Sequence, residues 1–526
     1  MKFLLGALGL LLLLSLGLWR KQKVPEPPPS SGVAALPAKS NKMLEKTGLL
    51  LFLEGADQAE RKLLAHLPGA EQELSAEEAA CAHCHGLSGR GGVWQGEAVP
   101  GIRAEQLFES AGHEGKALHP YQEDTLRRLL TEGVNAEGKS LSAAMPRYSL
   151  DDTQWAALYA YLQSLGQGPE PGLEAGKVRI GFLQNDETDP VQAAHETAFL
   201  ETLEQSFRQL NEQGGLAGRR LELTSLDDPS LDRLDNFFLL LGYREHRSQF
   251  LDLLETDASL PMLWVHEEPR GEIEKRRRMS YALQPSAYDQ GRIAAQFAKK
   301  KLEYKVIAVV PETAEGLAWE QGARDESLSQ GDMLMVVCHY PAAAMETDDF
   351  LACLHMRNNR AFAFLGSEED LKTFQDIMTN ELLETPVMAF GGIGEDPKYI
   401  RDRAARFPAV YWTTADLPET LREKSELAVH NFFARQLWSR VPLASDGEAL
   451  LVAQLFEEIF KRSQPHITRL DWIAQLEQVR DFHQSFLPPL SFSRNKKVGA
   501  AGARIVQWDS KKKQSKEIQS WVPVER

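Results

Sequence analysis

The sequence lacks an excess of basic residues. Its 59 Lys and Arg residues face 75 Asp and Glu residues, and the formal net charge is −16. Because proteins bind nucleic-acid phosphates through a basic surface, this balance argues against a nucleic-acid partner. An acidic surface is compatible with docking of basic partner proteins, although many soluble proteins have the same composition.

Recognisable catalytic motifs are also missing. The chain contains no nucleotide-binding G-x-x-x-x-G-K-S/T loop, and the strand-like segment 177–184 is not followed by the glycines of a dinucleotide fingerprint. No Ser/His/Asp arrangement of a hydrolase stands out. With 526 residues, 43 % of them hydrophobic, the chain is long enough for two to four domains with large cores. These observations favour a binding or carrier protein over an enzyme.

Cysteine is scarce, and two of the four cysteines lie in one short motif, Cys81-Ala82-His83-Cys84-His85. This spacing is the pattern for covalent haem attachment, because both thiols can reach the two vinyl groups of one porphyrin while His85 is aimed at the iron. A zinc knuckle or a redox dithiol is the alternative. No second cysteine pair follows nearby, so the motif predicts one covalently bound haem c.

A methionine further along the chain can supply the opposite ligand. Met145 follows His85 by sixty positions (145 − 85 = 60) and precedes an aromatic-rich segment with helical spacing at 155–165. We predict that Ser149 caps this helix, with Asp152 three residues later. A thioether on a loop before such a helix is suited to the sixth position of haem iron.

Residues 48–166 resemble a class I cytochrome c domain, through the Cys-x-x-Cys-His motif, the turn "CHGLSGRGG" and the segment "AMPRYSLDDTQWAALYAYLQSL". In that family the cysteines carry the thioether bonds, while His and Met complete the coordination of the iron. The resemblance implies His85 as the proximal and Met145 as the distal ligand. The alternative is that Met145 is a core residue and that His113 or His119 is the ligand. His/Met ligation raises the reduction potential relative to two histidines.

The N-terminus contains a nearly unbroken apolar run at 3–19. Its length and the lack of a small-residue cleavage site directly after it favour an uncleaved membrane anchor over residues 1–20. A cleaved signal segment, which would leave a soluble periplasmic protein, is the alternative. The basic residues after the run prefer the cytoplasm by the positive-inside rule, against the anchor interpretation. Either interpretation places the rest of the chain on the periplasmic side of a bacterial inner membrane.

The remaining boundaries follow from composition. A proline-rich linker is predicted at 21–47, the cytochrome-like domain at 48–167, a Gly/Pro-rich linker at 168–176, and a further domain at 177–526. In this last domain, strand and helix patterns alternate regularly from 177 to about 412. Long helices then follow near 419–438, 446–462 and 468–483, and a hairpin closes the chain. Such alternation implies βαβ units on parallel sheets.

The domain at 177–526 resembles type I periplasmic solute-binding proteins, the class that includes branched-chain amino-acid receptors of ABC transporters. The resemblance depends on "KVRIGFLQ", "LNEQGGLAGRRLELTSLDD", "SAYDQGRIAAQFAKKKLEYKVIAVVPE" and "VGAAGARIVQW". It implies two Rossmann-like lobes that close on a small molecule. The turns that hold the ligand in that family are bulky and charged here, which argues against an amino-acid pocket. A small polar solute bound by Arg244, His246, Glu267 and Arg270 is one interpretation, and surface or interlobe ion pairs are the other.

The remaining cysteines lie at the end of a predicted strand (Cys338) and in the following helix (Cys353). In an oxidising compartment they can form a disulfide, which would contribute about 3 kcal/mol through the fifteen-residue loop. Two buried free thiols are the alternative, because the sequence does not define the separation of their Cα atoms.

The predicted fold class is multidomain: an N-terminal membrane helix, an all-α cytochrome c domain, and a two-lobed α/β domain like a type I periplasmic binding protein. The first functional hypothesis is a monohaem electron carrier that serves redox partner proteins, with a fused module for ligand or partner recognition. With both axial positions of the iron filled, outer-sphere electron transfer is favoured over catalysis. The second hypothesis is a solute receptor or sensor in which the haem reports the redox state.

Overall fold

The computed structural model describes most of the chain from residue 38 onward. The described residues are 38–109, 119–168, 170–184, 190–226, 234, 236–244, 259–266, 279–302, 306–329, 335–341, 345, 347–355, 361–365, 370, 373–374, 376–377, 387–390, 409–414, 419–462, 467–482, 487–509, 512 and 514–523. The predicted membrane segment at 3–19 lies outside them. Within these ranges no helix is long and apolar enough to cross a membrane. The chain divides into two compact units, Met1–Met43 and Leu44–Arg526.

The first part of the described chain is mainly helical. Its helices are α1 (Ala38–Glu54), α2 (Ala76–Ala79), α3 (Cys81–His85), α4 (Ala104–Phe108), α5 (Glu123–Glu132) and α6 (Asp152–Ser164). Four short strands accompany them: β1 (Leu64–His66), β2 (Gly92–Trp94), β3 (Glu97–Val99) and β4 (Arg147–Ser149). Strand β1 pairs with β4 and β2 pairs with β3, both antiparallel.

Helix α1 lies directly against helix α6. A Cβ atom at Gly48 would overlap the carbonyl oxygen of Ala157. The backbones of α1 and α6 therefore approach so closely at this point that only glycine fits. One turn further along, the rings of Phe52 and Tyr161 pack with their centroids 5.2 Å apart. This contact joins the two ends of the helical region around one apolar core.

The start of helix α6 differs from the prediction. Asp151, not Ser149, caps the helix, and its side chain accepts a hydrogen bond from the backbone N–H of Gln154 at 2.7 Å. Ser149 instead pairs with Leu64 as the last residue of β4. The predicted capping box was wrong because the β1–β4 pairing keeps the chain extended for two residues longer.

The second part of the chain alternates strands and helices. Its strands are β5 (Leu173–Glu174), β6 (Lys177–Leu183), β7 (Arg220–Leu226), β8 (Leu239–Arg244), β9 (Met262–His266), β10 (Ser280–Gln284), β11 (Val306–Pro311), β12 (Met335–Tyr340), β13 (Ala361–Phe364), β14 (Val387–Phe390), β15 (Ala409–Thr414), β16 (Gly502–Asp509) and β17 (Gln514–Pro523). Its helices are α7 (Pro190–Glu212), α8 (Ala287–Phe297), α9 (Ala314–Ser329), α10 (Asp348–His355), α11 (Glu419–Gln436), α12 (Ala444–Arg462) and α13 (Arg469–Leu476).

These strands form two sheets with the same internal order. In the first sheet the parallel strands run β7-β6-β8-β9-β10, and in the second β12-β11-β13-β14-β15. In each sheet, the strand that comes second in the chain lies at the edge, next to the strand that comes first, and the later strands follow on the other side. This is the order of one common doubly wound fold. Strands β16 and β17 extend the second sheet antiparallel. The alternation in the sequence therefore produces two Rossmann-like lobes, as predicted.

The helical region packs on the first lobe. One continuous cluster of buried apolar side chains includes Phe52 and Tyr161 of the helical region, Ile180 of β6, and Phe456 of α12. Helix α12 contacts α7, so this late helix returns to the first lobe. Burial of a shared apolar surface is the main force that holds the two regions together.

Helix α13 is shorter than the predicted helix at 468–483. Thr468 caps its start through a reciprocal pair of hydrogen bonds with Asp471, and the helix ends at Leu476. Beyond it the backbone pairs elsewhere: Phe482 exchanges hydrogen bonds with Leu490, at 2.8 and 3.1 Å. The periodicity of the sequence continues past the helix because Val479 is buried and Phe482 is half-buried.

Candidate functional site

Helix α3 carries the Cys-x-x-Cys-His motif. His85 is 8 % exposed, and its Nδ1 lies 2.8 Å from the backbone carbonyl oxygen of Pro100. Because a carbonyl oxygen only accepts hydrogen bonds, Nδ1 carries the proton and Nε2 keeps its lone pair. Among the described residues, no protein group hydrogen-bonds to Nε2. The ring is therefore held in the tautomer and orientation that a metal ligand requires.

Burial determines the protonation of the three motif side chains. It lowers the pKa of His85, against the opposing effect of the Pro100 hydrogen bond, and so keeps the imidazole neutral at pH 7. It raises the pKa of the Cys81 thiol to about 12 and raises that of Cys84 as well. A redox dithiol requires a lowered thiol pKa, so this environment does not suit that alternative.

The donor set fits haem c better than zinc. Both thiols are free and lie on the same short helix as His85. Within the part of the chain that the structure describes, no cluster of three or more His, Cys, Asp or Glu side chains could hold a metal ion. A structural zinc site needs four such ligands, whereas covalent haem attachment needs only the two thiols and the histidine.

Met145 lies in the turn before β4 and is half-buried. It packs against the apolar cluster that includes Cys81. Its carbonyl oxygen accepts a hydrogen bond from Nη1 of Arg147 at 2.5 Å. The next residue, Tyr148, is buried, and its hydroxyl donates to the carbonyl oxygen of Ala79 at 3.0 Å. The methionine turn is thus tied to the residues that lead into helix α3.

The alternative axial ligands are less well placed. His119 is exposed to solvent. His113 lies outside the described residues. Since Met145 packs against the apolar cluster that includes Cys81 and His119 is exposed, the arrangement favours the thioether.

The segment 86–103, which we call the proximal loop, connects His85 to helix α4. It folds back on itself, since the N–H of Gly91 donates to the carbonyl oxygen of His85 at 3.0 Å and the N–H of Ile102 donates to that of Gly89 at 2.8 Å. At Gly91 φ is +74°, and a Cβ atom would overlap the carbonyl oxygen of Val99. Glycine is required there because the loop is closed so tightly.

The proximal loop also contacts the α/β domain. The carboxylate of Asp471 in helix α13 accepts hydrogen bonds from Arg90 at 2.7 and 3.1 Å and from Arg103 at 2.8 and 2.9 Å. Burial alone would raise the pKa of Asp471, but the hydrogen bonds and charges of the two arginines outweigh it and hold the pKa well below its usual value. The sequence carries no signal for this contact, because Asp471 and Arg90 are 381 positions apart.

A second polar cluster lies at the carboxyl ends of the strands of the first sheet. Tyr243, His266 and Gln284 are at or next to the ends of β8, β9 and β10. Glu448 of α12 is 6 % exposed, accepts a hydrogen bond from Gln284, and lies 3.4 Å from Nε2 of His266. The Tyr243 and His266 rings meet edge to face with centroids 5.0 Å apart. We call these four side chains the sheet-edge cluster.

The charge of Glu448 is stabilised within this cluster. Burial would raise its pKa, but the nearby His266, the hydroxyl of Tyr243 and the more distant His195 together outweigh that effect, and the pKa is lowered. Among the described residues, no group hydrogen-bonds to Oε2 of Glu448, although this oxygen is buried. A buried carboxylate oxygen without a donor is costly, and a ligand that donates to it would remove the cost.

The pocket predicted from sequence is only partly within the described chain. Arg244 is the last residue of β8, adjacent to Tyr243, and pairs across the sheet with His266. His246, Glu267 and Arg270 lie outside the described residues. The sheet-edge cluster therefore adjoins the predicted turns, but Glu448 and Gln284 were not predicted because they come from distant parts of the sequence.

The remaining two cysteines are joined. Cys338 of β12 and Cys353 of α10 form a disulfide, with their Cα atoms 5.8 Å apart. The bridge ties an edge strand of the second sheet to the helix that follows it.

Comparison with known protein families identifies the helical region. The family model for cytochrome c matches residues 72–166. No curated protein matches the chain. The family match confirms the predicted cytochrome c domain, and the sheet topology confirms the two-lobed α/β domain that follows it. A cytochrome c domain implies covalently bound haem c.

Several solved structures are similar to this chain. They include a fatty acid ABC transporter substrate-binding protein from Thermomonospora curvata, at 14 % identity and a TM-score of 0.48, covering 68 % of this chain and 95 % of that one. The branched-chain amino acid transporter substrate-binding protein LivJ from Streptococcus pneumoniae, in complex with isoleucine, has 14 % identity and a TM-score of 0.47, covering 65 % and 100 %. The leucine-binding protein LivK from Thermotoga maritima has 14 % identity and a TM-score of 0.46, covering 66 % and 99 %.

Proposed function

We propose that this protein is an extracytoplasmic monohaem c-type cytochrome that transfers single electrons, and that its α/β domain recognises a ligand or a partner protein. The observation that carries the proposal is the hydrogen bond from His85 Nδ1 to the carbonyl oxygen of Pro100. It leaves Nε2 as the only ring nitrogen able to bind iron, on the same helix as both attachment cysteines.

The chain's own residues have distinct roles in this proposal. Cys81 and Cys84 would hold the porphyrin through thioether bonds, His85 would bind the iron on the proximal side, and Met145 on the distal side. When bound, haem c supplies an iron that exchanges one electron between its ferrous and ferric states. With both axial positions taken by protein side chains, no open position remains for a substrate, which favours electron transfer to redox partner proteins.

The test is a spectroscopic analysis of the full chain produced with haem c maturation. We expect one haem per chain by pyridine haemochrome, haem that stays bound during acid–acetone extraction, and no binding of CO to the ferrous protein at neutral pH. Extractable haem would disprove covalent attachment. Rapid CO binding by the native protein would disprove the two-ligand site.

The domain boundaries and the location belong to the same proposal. We assign 1–20 to an export and anchor segment, 48–167 to the cytochrome domain and 177–526 to the α/β domain, on the periplasmic side of the inner membrane. A cleaved signal is the alternative. N-terminal sequencing of the mature protein distinguishes the two, since an anchored protein keeps its first residues and fractionates with membranes.

A second candidate function is solute recognition by the α/β domain, as in ABC-transporter receptors. One observation favours it: buried Glu448 has a carboxylate oxygen without a hydrogen-bond donor among the described residues, at the carboxyl edge of a parallel sheet. Ligands of open α/β sheets bind at that edge. The cluster suits a small polar solute that offers a hydrogen-bond donor.

A thermal-shift screen of the haem-loaded protein against small polar solutes tests this function. A solute at a hundred times its Kd should stabilise the binding domain by about 2.7 kcal/mol. Glu448→Gln should abolish the shift, whereas Glu458→Gln, which removes a partly exposed charge from the same helix, should retain it. A shift that persists in Glu448→Gln would place the ligand elsewhere.

A further inference from the structure

Asp471 belongs to the α/β domain, but its carboxylate is occupied by two arginines of the proximal loop. Four hydrogen bonds of 2.7–3.1 Å join its two oxygens to Arg90 and Arg103. The side chains of Asp471 and Arg103 are only 10 % and 6 % exposed. Paired carboxylate and guanidinium groups with this geometry form strong, directional hydrogen bonds.

The two arginines lie near the two ends of the proximal loop, and both are attached to it. Nε of Arg103 donates to the carbonyl oxygen of Ser88 at 2.9 Å. A Cβ atom at Gly101 would lie only 2.9 Å from the carbonyl oxygen of Arg90, so the outgoing and returning strands of the loop are in contact. Pro100, whose carbonyl oxygen accepts from His85, is held between these attachment points.

The carboxylate itself cannot shift easily. Its Oδ2 accepts hydrogen bonds from the N–H and the hydroxyl of Thr468, both at 3.0 Å, as part of the cap of helix α13. Two residues earlier, the N–H of Arg469 donates to Glu170 of the interdomain linker at 2.8 Å. Helix α13 is therefore anchored both to the first lobe and to the chain that enters it.

We propose that Asp471 is a positioning residue for the proximal haem ligand, acting across the domain boundary. It holds Arg90 and Arg103, these hold the proximal loop, and the loop holds the Pro100 carbonyl oxygen against Nδ1 of His85. This inference rests on the proposed role of His85 as an iron ligand. It adds that the α/β domain helps to set the reduction potential of the haem.

Two contributions, one from the His85 hydrogen bond and one from the charge of Asp471, change the reduction potential in the same direction. A hydrogen bond from Nδ1 to an acceptor raises the basicity of a ligating imidazole and so favours ferric iron. Loosening the loop weakens that bond and favours ferrous iron. Removing the negative charge of Asp471 leaves the positive charges of Arg90 and Arg103 less neutralised. Because added positive charge stabilises the less positive iron, this also favours the ferrous state. Disruption of the contact should therefore raise the potential.

The experiment is a redox titration of the haem-loaded full chain in three variants. Asp471→Asn removes the charge and weakens the contact. Arg103→Lys keeps the charge, but its single nitrogen cannot hold Asp471 and the carbonyl oxygen of Ser88 from two separate donors, as Nη2 and Nε of Arg103 do. Glu458→Gln is the control, because it removes a partly exposed charge of helix α12 that pairs with Arg462 and leaves the contacts of the proximal loop in place. The second readout is the Nδ1–H proton resonance of His85 in the diamagnetic ferrous protein.

We expect Asp471→Asn to raise the ferrous-to-ferric ratio at a fixed electrode potential by roughly three- to tenfold, where tenfold corresponds to about 59 mV for one electron. Arg103→Lys should shift the ratio in the same direction by a smaller factor. Both should move the Nδ1–H resonance, and Glu458→Gln should change neither quantity.

Two outcomes would overturn the inference. If Arg103→Lys leaves both the potential and the resonance unchanged, any effect of Asp471→Asn is due to charge alone. If Asp471→Asn loads haem normally and titrates like the parent protein, the contact does not position the ligand. Should Asp471→Asn fail to fold, Arg103→Lys still decides the question. A parent protein without covalent haem would instead contradict the proposed function.

Discussion

Nδ1 of His85 lies 2.8 Å from the carbonyl oxygen of Pro100, fifteen residues along the chain. This one hydrogen bond defines which ring nitrogen is available to iron and joins the motif helix to the proximal loop. Because Arg90 and Arg103 connect the same loop to Asp471, the ligand environment of the cytochrome domain extends into the α/β domain.

Replacing Met145 should open the distal position. In Met145→Ala, the ferric iron–sulfur charge-transfer absorption should disappear and the ferrous protein should bind CO at neutral pH. Met145→His should keep both axial positions filled and lower the reduction potential, because imidazole favours ferrous iron less than a thioether does. Visible spectroscopy and redox titration measure these effects. Met43→Ala, at a residue that is 61 % exposed, is the matched control. Retention of the charge-transfer absorption in Met145→Ala would assign the ligand to another residue.

Replacing the motif cysteines should remove the covalent attachment stepwise. Cys81→Ala and Cys84→Ala should each leave a single thioether bond, and the double variant should release haem on a denaturing gel. Haem staining and intact mass measure the outcome. Cys338→Ala is the control, since this cysteine lies in the second sheet. Haem that remains bound to the denatured double variant would contradict the assignment.

The disulfide between Cys338 and Cys353 should stabilise the second lobe. It closes a loop with a sequence separation of 15, for which the chain-entropy model predicts about 3 kcal/mol. The variant with both cysteines replaced by Ala should therefore unfold at lower urea concentration when followed by tryptophan fluorescence. The haem absorbance transition should be unchanged, because the two cysteines belong to an apolar cluster separate from the one that contains the helical region. A fluorescence midpoint equal to that of the parent would show that the bridge contributes nothing.

The contact of Asp471 with the two arginines should make stability depend on pH. The folded-state pKa of Asp471 is lowered, so its contribution to stability is complete above the unfolded-state pKa of about 3.9 and is lost as pH falls towards the folded-state value. Asp471→Asn should lower the free energy of unfolding by about 3 kcal/mol at pH 7, as expected when one partner of a buried ion pair is removed. The loss should become progressively smaller below pH 4.

Urea unfolding at pH 7, 5 and 3 measures this dependence. Asp152→Asn is the control, because Asp152 forms an ion pair with Arg127 while its side chain is 92 % exposed, and such pairs contribute little. A cost of Asp471→Asn that is the same at pH 3 and pH 7 would argue against the charge as its origin.

The contact between helices α1 and α6 should not tolerate a side chain at Gly48. Gly48→Ala places a methyl group against the carbonyl oxygen of Ala157 and should cost about 1–3 kcal/mol through forced backbone shifts. Thermal unfolding followed by haem absorbance measures it. Gly176→Ala is the control, since a Cβ atom there meets no atom within 4 Å. A variant as stable as the parent would mean that the helices separate at little cost.

Much of the architecture could be predicted because it depends on short-range patterns. The spacing of Cys81, Cys84 and His85 lies within one turn and a half of helix, and the alternating strands and helices repeat over windows of about ten residues. The predicted helix ends were wrong where pairing with a distant segment set the local backbone conformation. Ser149 became a strand residue because it pairs with Leu64, and the helix after Thr468 ended early because Phe482 pairs with Leu490.

The haem-attachment motif and the order of the elements could be predicted from the sequence, because both follow from the spacing of neighbouring residues. Which remote charges meet depends on the folded chain. Arg103 and Asp471 are 368 positions apart, and Gln284 and Glu448 are 164 apart. No local pattern marks such pairs, since each member alone has the appearance of an ordinary polar residue. They come together because the cytochrome domain packs on the first lobe and helix α12 packs against the sheet of that lobe. This packing buries the charged groups, and a buried charge is costly unless it is paired.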